Sequence, residues 1–304
     1  MLKRTFVTIA AAAGVFLAAS PFVVAQDDST QIPETTLTAP TIGYASVNGL
    51  DMYYEIHGTG EPLVLLPCGL GTVDTMFAAI LPTLAQTHQV IAIELQGHGH
   101  TADIDRPLSY EAMADDVAAM ITQLGFENAD IMGYSLGGGV ALQTAIRHPE
   151  VVRKLIIISA VYARNGWYPE LLPGMLSLNA QSAREMMGSS VYKTYINVAP
   201  RPEDWPVLIT KLGELLKQDY DWSEDVAALK MPVLIVVGDA DSVRLAHAVE
   251  MFGLLGGGKA DGESNGLPKS QFAVLPSTLH GGSILNAALL LPVVTPFLEV
   301  PMPR

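Results

Sequence analysis

Ala129-Asp130-Ile131-Met132 is a short apolar run that leads straight into Gly133-Tyr134-Ser135-Leu136-Gly137. Helical spacing follows from Gly138 through Val140, Ala141, Leu142, Thr144, Ala145 and Ile146. A strand, a tight turn and a helix around G-x-S-x-G constrain the chain more than any other feature. A serine at such a turn is held in a sparsely populated backbone conformation. Its neighbours must be small so that the backbones can pass, which Gly133, Gly137 and Gly138 permit. The hydroxyl then stands at a sheet edge, with the next amide and a helix N-terminus facing any anion formed there.

The remainder of the chain supplies a sheet for that turn. Gly43 to His57 alternates apolar and polar residues around Asn48-Gly49, a dipeptide that favours a two-residue hairpin, so the domain opens with two antiparallel strands. Continuous apolar runs then follow at Leu63–Leu66, Val90–Ile93, Ile131-Met132, Leu155–Ile158, Val233–Val237 and Phe272–Leu275. Runs of this kind suit parallel strands buried on both faces. Helical patterns lie between them. Tyr110 to Leu124 places Met113, Val117, Met120, Ile121 and Leu124 on one face and turns Asp115 and Asp116 away, with Ser109 as N-cap and Gly125 as stop. Arg244 to Leu255 reads as another helix. The expectation is an α/β fold: a mostly parallel central sheet opened by an antiparallel hairpin, with helices on both faces.

Residues 161–224 break the alternation. They hold all three tryptophans, Trp167, Trp205 and Trp222, together with Tyr168, Met175, Met186, Met187, Tyr192 and Tyr195, and prolines divide them into short helices. This segment is expected to form an inserted helical cap over the carboxyl edge of the sheet, where ligands bind in open α/β sheets. Core packing is the competing role for each aromatic residue. Gly253 to Gly266 reads as a surface loop.

The N-terminus has the pattern of a secretory signal: Lys3-Arg4, an apolar run from Phe6 to Ala19, and small residues up to Ala25. The expected organisation is a signal peptide over 1–25, a flexible leader over 26–41 and one domain over 42–304. The mature chain would be secreted or periplasmic, with no membrane span. A formal charge of −14 argues against nucleic acid or anionic membranes as partners. The single cysteine, Cys68, allows no internal disulfide and reads as a small buried filler. No dinucleotide fingerprint, P-loop or zinc-type cysteine set is present, so no cofactor and no metal is expected. His98 and His100 have no ligand partner at metal spacing. His148 reads as structural, and His57, His88 and His247 as surface or loop residues.

A serine hydroxyl needs a base, and the base needs an acid to fix its tautomer. Downstream of Ser135, the Val233–Val237 run ends in Gly238-Asp239-Ala240-Asp241, and the Phe272–Leu275 run ends in Pro276-Ser277-Thr278-Leu279-His280. Each polar group leaves a strand on the edge that should also carry Ser135. The chain order Ser, Asp, His is the one expected for a sheet-based hydrolytic site.

On Gly133–Gly138, Gln96-Gly97-His98-Gly99-His100, Gly238–Asp241 and Leu275–His280, the chain resembles α/β-hydrolase-fold serine hydrolases from about Gly43 to the C-terminus. The resemblance implies Ser135 as nucleophile, His280 as base and Asp241, the second aspartate of its turn, as the acid, with Asp239 as fallback. It also implies backbone amides of Gly69 and Leu136 as the oxyanion hole. Here Pro67-Cys68 replaces the His-Gly usual in that loop. Leu70, Tyr134, Trp167 and Met175 are the candidate substrate contacts. The implied activity is hydrolysis of a small-molecule carboxylic ester. Serine at the turn argues against haloalkane dehalogenases and epoxide hydrolases, which resemble it but use aspartate there. Lactone, amide or C–C bond hydrolysis, perhydrolysis, and a non-catalytic binding role remain open.

Overall fold

A computed structural model describes residues 39–260 and 266–302. The expected signal peptide and all but the end of the leader lie outside the described residues. Thr41, assigned to the leader, is the first residue of a strand.

That strand, β1 (Thr41–Val47), pairs antiparallel with β2 (Leu50–His57). The turn between them is Asn48-Gly49, with φ of 49° and 83°. Two successive left-handed residues give the turn whose twist matches a hairpin, as the dipeptide predicts. β2 pairs antiparallel with β4 (His88–Ile93), and from there the sheet is parallel. With β3 (Glu61–Leu66), β5 (Ala129–Tyr134), β6 (Val152–Ile158), β7 (Val233–Ala240) and β8 (Gln271–Leu279), the order is β1-β2-β4-β3-β5-β6-β7-β8.

The order has a functional consequence. The chain goes from β3 outward to β4, then returns to place β5 on the other side of β3. The carboxyl ends of β3 and β5 therefore lie side by side at the switch point, with Leu66 opposite Gly133 in the register. Ligands bind at such a crevice in open α/β sheets. The fold thus sets the loop after β3 next to the turn that carries Ser135.

Both faces of the sheet are covered. One core packs the helices Tyr110–Gln123, Leu136–Arg147 and Leu245–Leu254 against residues such as Ile131, Leu155 and Ile235. The other packs Val73–Phe77, Leu81–Leu84 and Ala287–Glu299 against Leu65, Met132, Ile156 and Val236. Lys154, at the start of β6, is buried and donates through Nζ to the carbonyls of Phe297, Leu298 and Val300. A cation thus satisfies carbonyls that the end of the last helix leaves unpaired.

Between β6 and β7 lie the helices Leu172–Leu176, Ala180–Glu185, Ser190–Val198, Trp205–Lys217 and Ser223–Ala228. Trp205 is their central packing residue: it is fully buried, its indole N–H donates to the Ala183 carbonyl, and Tyr192 and Tyr195 pack on its ring. Lys211 ties this layer to the body. Its ammonium donates to Asp103 Oδ2 at 2.6 Å and to the carbonyls of Ile104 and Arg106.

Four expectations need correction. β8 is not buried on both faces: it is the edge strand, and Gln271, Val274 and Leu279 are exposed. Asp116 is not turned to solvent but fully buried, where it accepts from both terminal nitrogens of Arg106 and from the Asn48 amide. A buried carboxylate is tolerated when it is paired in this way. His88 is buried at the start of β4, bonded to Thr87. His247 is fully buried, stacked on Tyr162 with ring centroids 4.0 Å apart.

Candidate active site

Ser135 sits at φ 55°, ψ −116°, immediately before the helix Leu136–Arg147. Strain of this kind amounts to roughly 1–3 kcal/mol and persists only where the surroundings impose it. The glycines are what make the turn possible. A Cβ on Gly133 would stand 2.1 Å from the Gly137 carbonyl oxygen, and one on Gly137 would stand 2.3 Å from the Leu66 carbonyl oxygen. No side chain fits at either position.

His280 follows β8 and reaches back across the sheet. Its Nε2 lies 3.0 Å from Ser135 Oγ, and its Nδ1 lies 2.7 Å from Asp241 Oδ1. The carboxylate can only accept, so Nδ1 carries the proton and Nε2 accepts from the serine hydroxyl. Asp241 is held from all sides. Oδ1 also accepts from the Val243 amide at 3.1 Å. Oδ2 accepts from Ser159 Oγ at 2.5 Å, the Gly238 amide at 3.1 Å and Ser283 Oγ at 3.2 Å. Burial alone would push the Asp241 carboxyl up. The His280 hydrogen bond and charge, with the Ser159 and Gly238 donors, outweigh it and hold the group at about 2. Asp241 is therefore ionised throughout the neutral range.

Asp239, the fallback, is committed elsewhere. Its two carboxylate oxygens accept from the Ser277 and Thr278 amides of β8 at 2.8 and 2.9 Å, closing the strand pair just before His280.

A cavity of about 180 Å³ opens at Ser135 and His280. Gly69, Leu70, Tyr134, Leu136, Trp167 and Met175, all named from the sequence, line it. The loop after β3 closes as a turn, with the Gly71 amide donating to the Cys68 carbonyl and Leu70 at φ 66°. Gly69 is thereby set beside Leu136: a Cβ on Gly69 would lie 3.7 Å from Leu136 Cδ2. Leu136 is the first residue of its helix, so its amide has no partner within the helix. Cys68 is buried, and burial pushes its thiol up to about 12. It donates to Met76 Sδ at 3.3 Å and fills space behind the loop.

His98 is buried, with Nδ1 on the Gln96 carbonyl, and burial lowers its affinity for a proton. His100 stacks on Tyr53 and pairs with Glu94 at 3.0 Å. Both brace the loop after β4. Among the described residues, no group of three or more His, Cys, Asp or Glu side chains is placed to hold a metal ion.

Residues 61–195 match the family model for the alpha/beta hydrolase fold. A meta-cleavage product hydrolase from Pseudomonas fluorescens is similar over 85% of this chain and 97% of its own, with a TM-score of 0.64 at 20% identity. The enol-lactonase from Burkholderia xenovorans gives 84% and 100%, also with a TM-score of 0.64 at 20% identity. The chain has the α/β-hydrolase fold. Among curated proteins, a putative carbamate hydrolase from Azorhizobium caulinodans is 36% identical over 124 residues, covering 41% of this chain and 44% of its own length. An uncharacterized protein of Mycobacterium tuberculosis is 36% identical over 128 residues, covering 42% and 37%. The chain thus spans under half the length of these curated relatives.

Within this α/β-hydrolase fold, several residues of the site carry no signal in the sequence. Ser159, at φ 51° after β6, and Ser283, in the short helix Gly282–Leu285, hold Asp241 from 82 and 42 residues away. Tyr134 was expected to touch substrate. It lines the cavity, but its hydroxyl donates to the His280 carbonyl at 3.1 Å and so also braces the imidazole. Trp167 packs edge-on to the His280 ring at 5.8 Å between centroids. Leu171, Leu178, Leu212, Leu215 and Leu216 complete the apolar wall. Leu212, Leu215 and Leu216 lie on the helix Trp205–Lys217 with the spacing of any core leucine, and Leu171 and Leu178 lie outside helices.

Proposed function

We propose that this protein is a serine hydrolase that cleaves carboxylic esters through an acyl-enzyme. The observation that supports this most is the relay from Ser135 Oγ to His280 Nε2 and from His280 Nδ1 to Asp241, opening on an apolar cavity. Ser135 Oγ attacks the acyl carbon, and its proton passes to His280 Nε2. The carbonyl oxygen becomes an oxyanion facing the Gly69 and Leu136 amides. His280 then gives the proton to the leaving alkoxide oxygen as the C–O bond breaks, and the alcohol departs. A water molecule, deprotonated by His280, attacks the acyl-enzyme. The carboxylic acid leaves, and Ser135 regains its proton. Asp241 stays ionised and stabilises the imidazolium at each stage.

The similar proteins include a putative carbamate hydrolase, an enol-lactonase and a meta-cleavage product hydrolase. These names span different bonds, so the bond cleaved must be tested directly. A panel of p-nitrophenyl esters of increasing acyl length, followed by lactones, amides and carbamates, does so. Ester turnover that disappears in Ser135→Ala supports the proposal, and activity confined to another bond type refutes the ester assignment. Lys3-Arg4, the Phe6–Ala19 run and Ala25 support export of the enzyme from the cytoplasm. A shortened N-terminus on protein from the periplasm or medium is the corresponding check.

A further inference from the structure

The cavity wall is notable for what its polar atoms already bind. The Tyr110 and Tyr220 rings meet edge to face, 5.5 Å between centroids, and the Trp167 ring packs edge-on to His280. The Tyr134 hydroxyl is taken by the His280 carbonyl, and the Cys68 thiol by Met76. The lining side chains with a polar atom left toward a ligand are Ser135, His280 and Ser242, the last next in chain to Asp241, together with the Tyr110 hydroxyl and the Trp167 indole. The first three belong to the reacting end, and the other two are uncharged. Among the described residues, no Lys, Arg, Asp or Glu lines the cavity. Of the cations near it, Lys211 binds Asp103 and two carbonyls and Arg244 Nε donates to the Asn165 carbonyl, while Arg164, whose charge reaches Tyr220, does not line the cavity. The formal charge closest to the reacting atoms is the Asp241 carboxylate, one hydrogen bond behind His280.

A charge placed against such a wall would lose much of its hydration and find no opposite charge lining it, and an anion would also face Asp241. A dry apolar cavity of about 150 Å³ accommodates benzene, so about 180 Å³ suits a hydrocarbon group of roughly six to eight carbons. Building on the ester-hydrolase reading, we propose that the substrate is an uncharged ester whose acyl or alcohol part is a hydrocarbon group of about that size. Esters that carry a carboxylate on the group entering the cavity are rejected.

Two matched pairs test this in the intact protein. On the acyl side, p-nitrophenyl hexanoate is compared with mono-p-nitrophenyl adipate, in which a carboxylate replaces the terminal methyl. On the alcohol side, phenyl acetate is compared with 4-carboxyphenyl acetate. After correction for alkaline hydrolysis rates, kcat/KM should favour the neutral member by at least about 100-fold in one pair or both. Smaller ratios in both pairs overturn the inference. A binding arm in Ser135→Ala does not depend on turnover: hexan-1-ol should raise Tm, and 6-hydroxyhexanoate should not. Equal shifts overturn the inference even where Ser135 proves reactive. Selective binding of the alcohol by a protein with no esterase activity refutes the catalytic reading, and with it the ester substrate, but upholds the cavity's preference for an uncharged hydrocarbon group.

Discussion

Ser159 is the residue whose removal tests the site most finely. Its hydroxyl makes the shortest of three bonds to Asp241 Oδ2, at 2.5 Å against 3.1 Å for the Gly238 amide and 3.2 Å for Ser283. A hydrogen bond to a charged group contributes about 1.5–3 kcal/mol. Two donors remain after Ser159→Ala, so the lower end applies, and kcat should fall about 10-fold with KM nearly unchanged. Ser159 also sits at φ 51°, a region unfavourable for any residue with a Cβ. Ser159→Gly loses the same bond but relieves that strain. It should be roughly 0.5–1 kcal/mol more stable than Ser159→Ala once glycine's unfolded-state entropy is subtracted, yet no more active. Denaturant unfolding and ester kinetics on the two variants separate the effects. The pH profile adds a signature a purely structural role would not give. Ser159 helps to depress the Asp241 carboxyl, so its loss should move the acidic limb of kcat to higher pH. Wild-type kcat in Ser159→Ala, or a glycine variant less stable than the alanine one, refutes the reasoning.

Three further outcomes follow from the same structure. Gly133→Ala forces a Cβ to within 2.1 Å of the Gly137 carbonyl oxygen and should destabilise by at least about 3 kcal/mol, read as a lower urea midpoint or failure to fold. Burial, followed by the Arg244 charge, lowers the His247 pKa to about 4 from an ordinary 6.5. The unfolded chain therefore binds this proton more readily, and about 3 kcal/mol of stability present above pH 6.5 should be lost as pH falls towards 4. His247→Phe should flatten that part of a stability-versus-pH curve. Lys154→Met strips three carbonyls near the chain's last helix of their donor and should lower stability by about 2–4 kcal/mol in the same unfolding assay.

The parts of this molecule legible in its sequence are those fixed by local chemistry. Asn48-Gly49 specifies its turn because both residues tolerate positive φ. The runs that became β3 to β7 are readable because a strand covered on both faces must be apolar throughout. Ser135 and His280 are readable because each leaves the end of a strand. β8 departs from this pattern: Phe272–Leu275 has the composition of an inner strand, but no ninth strand covers its outer edge. Ser159, Ser283 and the buried Asp116 depend on partners between 10 and 82 residues away, so nothing local marks them. The cap leucines were equally hidden. Leu208 in the core and Leu212 on the cavity lie one turn apart on one helix, and only the tertiary fold distinguishes them.

The proposed chemistry requires Ser135 to be a nucleophile activated through His280. Mass spectrometry of the intact protein after exposure to a fluorophosphonate tests it directly. A bond forms between Ser135 Oγ and phosphorus as fluoride leaves. One adduct should appear on Ser135 alone, be absent from Ser135→Ala, and form at least about 100-fold more slowly in His280→Ala. A folded protein that takes no adduct, or one whose labelling is indifferent to His280, would contradict the claim.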